Sequence, residues 1–207
     1  MFIKVCGMRD AENIRLVEDL DIDYMGFILW PHSKRYVAES PAYLPKNAKR
    51  VGVFVDSDIE NIMCQIDNFG LDAIQLHGHE SPDYVQSLKN NIGEGRLPII
   101  KAFNIGAPDD LAQTAAYEGL ADIFLFDTKG KSVGGNGEKF DWSVLSAYHG
   151  STPFFLSGGI GSDDANSILS FHHDRCIGID LNSRFEISPG LKDILRLKSF
   201  LTVVRGK

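Results

Sequence analysis

The sequence predicts a (βα)₈ TIM barrel of minimal size, because eight short apolar segments alternate with helix-like segments along the chain. The apolar segments are nearly continuous rather than strictly alternating, as in parallel strands buried on both faces. The chain has 207 residues, and the size range of this fold begins near ~200, so we expect one catalytic domain over residues 1–207. The predicted strands are Phe2–Val5, Tyr24–Leu29, Arg50–Val55, Ala73–Leu76, Pro98–Phe103, Ile123–Phe126, Pro153–Leu156 and Cys176–Leu181.

Helix signals lie between the strands. Ala11–Leu20 and Ile59–Phe69 repeat apolar residues at helical spacing. Ser81-Pro82 is a typical helix start, with Ser as N-cap and Pro at the first position. We expect a further helix to open at Ser162 and a last one to run from Gly190 to Val204.

The weakest helix prediction is Val37–Ala48, which contains two prolines. A doubly wound open sheet is the rival architecture, and it usually carries a Gly-x-Gly-x-x-Gly turn after the first strand. The first strand here ends Cys6-Gly7-Met8, which is no such turn. The barrel is therefore favoured.

Composition excludes several classes of protein. The 43% of hydrophobic and 24% of charged residues are typical of a globular chain and argue against disorder. A net charge of −7 argues against a nucleic-acid partner, which needs a basic surface, but permits a small phosphate ligand. No segment approaches the ~20 apolar residues of a membrane span, and the start does not resemble a signal peptide. With three cysteines in no metal-binding spacing, we expect a reduced, cytoplasmic protein.

Polar residues end the apolar segments, and in a barrel the carboxyl ends of the strands build the active site. This contrast between apolar strands and polar ends is the main functional signal. The strand-end residues are Cys6, His32 to Arg35, Asp56, Gln75, His77, Asn104, Asp127, Ser157-Gly158-Gly159 and Asp180 to Ser183.

Three of these ends predict a phosphate site. Ser157-Gly158-Gly159 stands before a helix, where backbone amides and the helix N-terminus can approach an anion. Asp180–Ser183 is a good start for a short extra helix, and Gly130–Gly137 is a glycine-rich loop after strand six. One glycine pair alone would indicate only a tight turn. In barrels, however, the loops after strands seven and eight frequently bind phosphate.

Cys6 and Asp127 suggest an acid–base pair. Lys4 lies on the same side of the strand as Cys6, and its ammonium would favour the thiolate that a general base requires. The alternative for a free cysteine is a small buried apolar residue, which describes Cys64 and Cys176. Asp127 is either a structural carboxylate that caps a loop or an acid whose pKa is raised by its apolar surroundings.

Two further strand ends leave alternatives open. Arg35 is either a solvated cation or a bidentate fork for a substrate carboxylate. His77-Gly78-His79 has a spacing that suits two metal ligands. A metal-dependent hydrolase would need further ligands from other strands, and only His32 lies near another predicted strand end. We therefore expect no metal.

The ordered set of segments resembles the phosphoribosylanthranilate isomerase family of tryptophan biosynthesis. The resemblance covers almost the whole chain. The matching segments are Lys4–Met8, Gly26–Ile28, Ser33–Val37, Val51–Val55, Ile74–Gly78, Leu125–Thr128, Gly134–Trp142, Leu156–Gly159, Gly178–Asp180 and Pro189–Asp193.

The resemblance implies a barrel of the ribulose-phosphate-binding type and an Amadori rearrangement of N-(5-phosphoribosyl)anthranilate without cofactor or metal. It implies that Cys6 is the general base, Asp127 the general acid and Arg35 the ligand of the anthranilate carboxylate. It also implies that Gly135, Gly158, Gly159 and Ser183 hold the phosphate, and that Gln75, His77 and Asp180 line the pocket.

Two positions depart from the family pattern. Asn182-Ser183-Arg184 stands where Ser-Ser-Gly is common, and Asn136 replaces a small hydroxyl residue, so both departures fall in loops expected to bind the phosphate. The alternatives are another phosphate-binding barrel enzyme of tryptophan or histidine biosynthesis and a non-catalytic barrel that binds a phosphometabolite. The histidine-pathway type would carry an Asp at the position of Cys6. We expect a small-molecule substrate, no membrane partner, and a monomer or homodimer.

Overall fold

Eight parallel strands form a closed barrel in the computed structural model, which describes residues 1–93, 97–128 and 141–206. Each strand pairs with its neighbours in chain order, and the first pairs with the last. This confirms the predicted (βα)₈ architecture. The strands are β1 Phe2–Cys6, β2 Tyr24–Ile28, β3 Lys49–Phe54, β4 Ala73–Leu76, β5 Ile99–Ile105, β6 Ile123–Thr128, β7 Phe154–Leu156 and β8 Cys176–Leu181.

The described connections contain both α-helices and 3₁₀ turns. The α-helices are α1 Ala11–Glu18, α2 Ile59–Phe69, α3 Pro82–Ile92, α4 Ala165–Ser170 and α5 Ile194–Val204. The 3₁₀ segments are Pro108–Tyr117, Trp142–Ala147, Ser162–Asp164 and Ser183–Phe185.

Side-chain caps fix four of the α-helix starts. Asp10, Asp58, Ser81 and Asp193 each accept a hydrogen bond from a backbone amide in the first turn of the helix that follows. Such caps satisfy amides that have no partner inside the helix. The predicted start at Ser81-Pro82 is therefore confirmed.

Two helix predictions need correction. Residues 37–48 form no helix, as the two prolines suggested. The last helix begins at Ile194 rather than at Gly190, because Leu191–Lys192 forms a short strand, β10, antiparallel to β9 (Glu186–Ser188). Gly190 makes the turn between them with a φ of +83°, a conformation that glycine adopts without strain.

A small apolar layer fills the amino-terminal part of the barrel interior, and the larger core lies between the strands and the outer elements. Side chains two residues apart on a strand point to the same side. Leu125 and Phe155 belong to the inner layer, so Asp127 and Ser157 follow above them. The carboxyl end of the interior is therefore lined with polar groups.

None of the described helices is long and apolar enough to cross a membrane.

Candidate active site

A buried ion pair lies at the centre of the polar end of the barrel. Lys4 on β1 stands opposite Asp180 on β8, and the Lys4 Nζ to Asp180 Oδ1 distance is 2.8 Å. Burial of Lys4 disfavours its charge, but Asp180 and Cys6 outweigh that effect and raise the pKa of the ammonium. Lys4 is therefore a fixed positive charge beside Cys6.

Cys6 ends β1 and is 3% exposed. Its thiol occupies space that Gly26 leaves open, since a Cβ at Gly26 would lie 2.7 Å from Cys6 Sγ. Burial raises the pKa of the Cys6 thiol and Asp180 adds to this, whereas Lys4 and Lys192 lower it. The sequence predicted the effect of Lys4 with the correct sign. It did not predict that burial would be the larger effect.

Asp127 stands at the end of β6. It faces His77, which directly follows β4. The His77 Nε2 to Asp127 Oδ2 distance is 3.5 Å, and His77 Nδ1 lies 3.1 Å from Gln75 Nε2. Among the described residues, neither the buried Gln75 Oε1 nor His77 Nε2 has a hydrogen-bond partner. Buried polar atoms of this kind are normally satisfied, so both are suited to a polar ligand.

Asp180 connects the two halves of the site. Its carboxylate interacts electrostatically with Lys4 on one side and with Asp127 and His77 on the other. The same carboxylate raises the pKa of the Cys6 thiol. The structure thus brings four of the predicted residues, Cys6, His77, Asp127 and Asp180, to one end of the barrel interior.

The loop that carries His77 is held by a second buried ion pair. Lys101 Nζ lies 3.0 Å from Glu80 Oε2, and both side chains are almost fully buried. Glu80 in turn accepts hydrogen bonds from the backbone amides of Gly78 and Asp56. This pair fixes the backbone next to His77, and no local sequence pattern predicted it.

The two histidines of the His-Gly-His motif diverge. His79 turns outward to Asp56, with an Nδ1 to Oδ2 distance of 3.1 Å and a side chain that is 91% exposed, whereas His77 faces the interior. Within residues 1–93, 97–128 and 141–206, no group of three or more His, Cys, Asp or Glu side chains is arranged to hold a metal. His32 is exposed and packs edge-on against Trp30.

Arg35, a predicted carboxylate ligand, is paired within the chain. Its Nε lies 2.8 Å from Glu186 Oε1, and its Nη2 lies 2.7 Å from Glu186 Oε2. Lys192 Nζ contacts the same carboxylate at 2.7 Å. Sequence reasoning missed Glu186 and Lys192. Only Lys192 fell inside a family-like segment, and there it was expected on a helix.

The predicted phosphate residues lie in the loops after β7 and β8. Gly158 and Gly159 have φ values of +90° and +66°, a left-handed conformation that favours glycine. Ser183 opens the 3₁₀ segment Ser183–Phe185. Gly135 and Asn136 lie outside the described residues. The described part of this site therefore offers glycine-rich backbone and a helical start at two adjacent loops.

Comparisons with known proteins match the chain over almost its whole length. The model of the family described as N-(5′-phosphoribosyl)anthranilate (PRA) isomerase matches residues 3–203. The N-(5′-phosphoribosyl)anthranilate isomerase of Phocaeicola vulgatus is 46% identical over 207 residues, which cover 100% of this chain and 99% of the relative.

Solved structures are similar over the same length. Phosphoribosyl anthranilate isomerase from Thermus thermophilus is 27% identical, with a TM-score of 0.84 and coverage of 100% of this chain and 99% of the other. A phosphoribosyl anthranilate isomerase in complex with reduced 1-(o-carboxyphenylamino)-1-deoxyribulose 5-phosphate is 27% identical, with a TM-score of 0.80 and full coverage of both chains.

Proposed function

The chain belongs to the N-(5′-phosphoribosyl)anthranilate isomerase family, and we propose that Cys6 and Asp127 are the general base and general acid of its reaction. The enzyme isomerises N-(5′-phosphoribosyl)anthranilate to 1-(o-carboxyphenylamino)-1-deoxyribulose 5-phosphate by an Amadori rearrangement in tryptophan biosynthesis. The observation that carries the assignment is the position of the two side chains. Each ends a barrel strand, and both interact with the buried Asp180.

Asp127 acts first. In its protonated form it transfers a proton to the ring oxygen of the ribose, and the bond between that oxygen and C1′ breaks. The nitrogen lone pair forms a C1′=N double bond, which leaves an open-chain iminium ion. His77, which directly follows β4, faces the Asp127 carboxyl across 3.5 Å.

Cys6 acts second. Its thiolate removes the proton from C2′, and the C–H electrons form a C1′=C2′ double bond while the iminium nitrogen becomes neutral. The enolamine then tautomerises to the ketone. The iminium acidifies the C2′–H bond, so a thiolate is a sufficient base. The fixed charge of Lys4 stabilises this thiolate.

The two ends of the substrate are anionic, and different groups bind them. Arg35 binds the anthranilate carboxylate, for which a planar guanidinium is well suited. The phosphate is bound by backbone amides around Gly158, Gly159, Ser183 and Gly135, the last outside the described residues. Gln75 offers to the polar middle of the substrate a buried oxygen that has no hydrogen-bond partner among the described residues.

The remaining expectations are also proposals. We infer a reaction that needs no cofactor or metal, because proton transfers by side chains account for each step. A cytoplasmic enzyme that works as a monomer or homodimer is consistent with these features.

Turnover by the purified enzyme tests the function. Phosphoribosylanthranilate is generated in situ, and the loss of its fluorescence is followed before and after treatment with a chelator. We expect turnover that the chelator does not change. Binding of the reduced product without turnover would favour a non-catalytic sensor, and loss of activity on chelation would favour a metal enzyme.

A further inference from the structure

The guanidinium of Arg35 uses one edge for a partner inside the protein. Nε and Nη2 donate to the two oxygens of Glu186, with Nε–Oε1 and Nη2–Oε2 distances of 2.8 and 2.7 Å. A guanidinium has five N–H donors in a rigid plane. Among the described residues Nη1 has no recorded partner, so the end of the fork formed by Nη1 and Nη2 can still bind a second carboxylate.

Lys192 places a second cation on the same carboxylate. Its Nζ lies 2.7 Å from Glu186 Oε1 and 2.8 Å from Asn182 Oδ1, and its side chain is fully buried. The side chain of Asn13 on α1 bonds both the N–H and the C=O of Lys192. Asn182 and Glu186 therefore hold the ammonium, and Asn13 holds the backbone of the same residue.

The side chains of Arg35, Asn182 and Lys192 lie against the end of β1. A Cβ at Gly7 would lie 2.7 Å from Arg35 Cδ, 2.8 Å from Asn182 Oδ1 and 3.5 Å from Lys192 Nζ. Gly7 directly follows Cys6, so the group borders the reacting end of the substrate site.

The net charge of Arg35, Glu186 and Lys192 decides whether these side chains attract an anion. Arg35 and Glu186 alone sum to zero, and Glu186 would compete with a substrate carboxylate for the guanidinium. Lys192 restores a net charge of one positive unit: two cations share one anion. Because all three side chains are largely buried, water screens these charges weakly.

We propose that Glu186 and Lys192 are positioning residues for recognition of the substrate carboxylate: Glu186 orients Arg35, and Lys192 neutralises Glu186 so that Arg35 remains attractive to an anion. The inference rests on the proposed role of Arg35. The competing explanation is that Lys192 only fastens the β9–β10 hairpin to α1. That role would affect folding and every ligand equally.

Two ligands separate these explanations. One is reduced 1-(o-carboxyphenylamino)-1-deoxyribulose 5-phosphate, which a related enzyme binds. The other is its phenylamino counterpart, which lacks only the carboxylate. Titration calorimetry gives the Kd of each ligand for wild type, Arg35→Met, Lys192→Met and the double variant Lys192→Met/Glu186→Gln. Lys198→Met, an exposed lysine on α5, is the matched control for loss of one positive charge.

Lys192→Met is expected to weaken the carboxylate-bearing ligand by about tenfold or more and to leave the phenylamino ligand almost unchanged. The double variant removes the competing charge but keeps an amide oxygen that can accept from Arg35 and hold it in place, so it should recover much of the lost affinity. Lys198→Met should behave as wild type. Recovery on a second substitution is not expected of a residue that merely holds the hairpin.

The outcomes distinguish the two levels of the account. If wild type binds both ligands equally well, Arg35 does not bind the carboxylate, and the proposed function is wrong at that point. If wild type and Arg35→Met differ as expected but Lys192→Met keeps its preference for the carboxylate, only the role of Lys192 and Glu186 is wrong. If the double variant binds worse than Lys192→Met, the charge argument fails.

Should Lys192→Met not fold, the charge-balanced double variant is compared with wild type alone. Preserved preference then supports the charge argument, and loss of preference contradicts it.

Discussion

Lys4 and Asp180 form an ion pair of 2.8 Å that joins the first and last strands of the barrel, and both side chains are buried. The lysine is fully buried. The pair therefore links β1 to β8, and the ammonium of Lys4 also lowers the pKa of the Cys6 thiol. A buried charge that loses its partner is costly, whereas loss of both partners together is often tolerated.

Substitution of Lys4 should therefore be more harmful than substitution of the pair. Lys4→Met leaves Asp180 as an uncompensated buried anion and should lower the free energy of unfolding by about 3–5 kcal/mol. Lys4→Met/Asp180→Asn should be closer to wild type. Denaturant unfolding of the three proteins measures this, and equal stability of the single and double variants would contradict it.

The ionisation of Cys6 should depend on Lys4. Burial raises the pKa of the thiol and Lys4 opposes this, so removal of the ammonium in Lys4→Met should shift the pKa further upward. The limb of the kcat/KM profile that belongs to Cys6 should move to higher pH by the same amount. The ultraviolet absorbance of the thiolate, taken as a difference from Cys6→Ser, gives the pKa directly. A shift to lower pH, or the same shift in Lys198→Met, would rule out this role of Lys4.

Gly26 should be required for activity rather than for stability alone. Gly26→Ala places a methyl group 2.7 Å from Cys6 Sγ and should displace the thiol from the substrate. Gly52→Ala is the matched control: its Cβ would meet Leu71 and Phe54, whose side chains belong to the core. Overpacking should destabilise each variant by about 1–3 kcal/mol. Only Gly26→Ala should also lower kcat/KM of the folded enzyme, and equal activity of the two variants would count against the model of the site.

Glu118 should contribute stability that depends on pH. Partial burial raises the pKa of its carboxyl, but hydrogen bonds from Ser151, Thr152 and Tyr148 outweigh this and lower it. A lowered folded-state pKa means that the stabilisation is present above the unfolded-state pKa and is lost as pH falls through the folded-state value. The difference in unfolding free energy between wild type and Glu118→Gln should therefore shrink in acid. A difference that stays constant from neutral to acid pH would contradict this.

The sequence predicted the barrel well because strand burial leaves a local record. The bounds of each predicted apolar run agree with those of an observed strand to within two residues, and polar residues such as Asp127 follow these runs. Contacts between distant parts of the chain leave no such record. Arg35 and Glu186 are 151 positions apart, and nothing local to either residue indicates the other.

Local signals also failed where they conflicted. Leu191 has helical spacing with the apolar residues of α5, but the turn at Gly190 and the cap at Asp193 place it in β10 instead. For Cys6, the sequence contained the nearby Lys4 but not the depth of burial, which only the closed barrel creates. The direction of the Cys6 pKa shift therefore required the structure.

The central claim is that Cys6 is the general base and Asp127 the general acid. The value of kcat/KM for phosphoribosylanthranilate tests this claim most directly. The comparison is between wild type, Cys6→Ser, Asp127→Asn and the control Cys64→Ser, whose cysteine is exposed on α2. We expect Cys6→Ser and Asp127→Asn each to lose about a hundredfold or more, as for removal of a general base or acid, and Cys64→Ser to retain full activity. Full activity of a folded Cys6→Ser or Asp127→Asn variant would contradict the assignment.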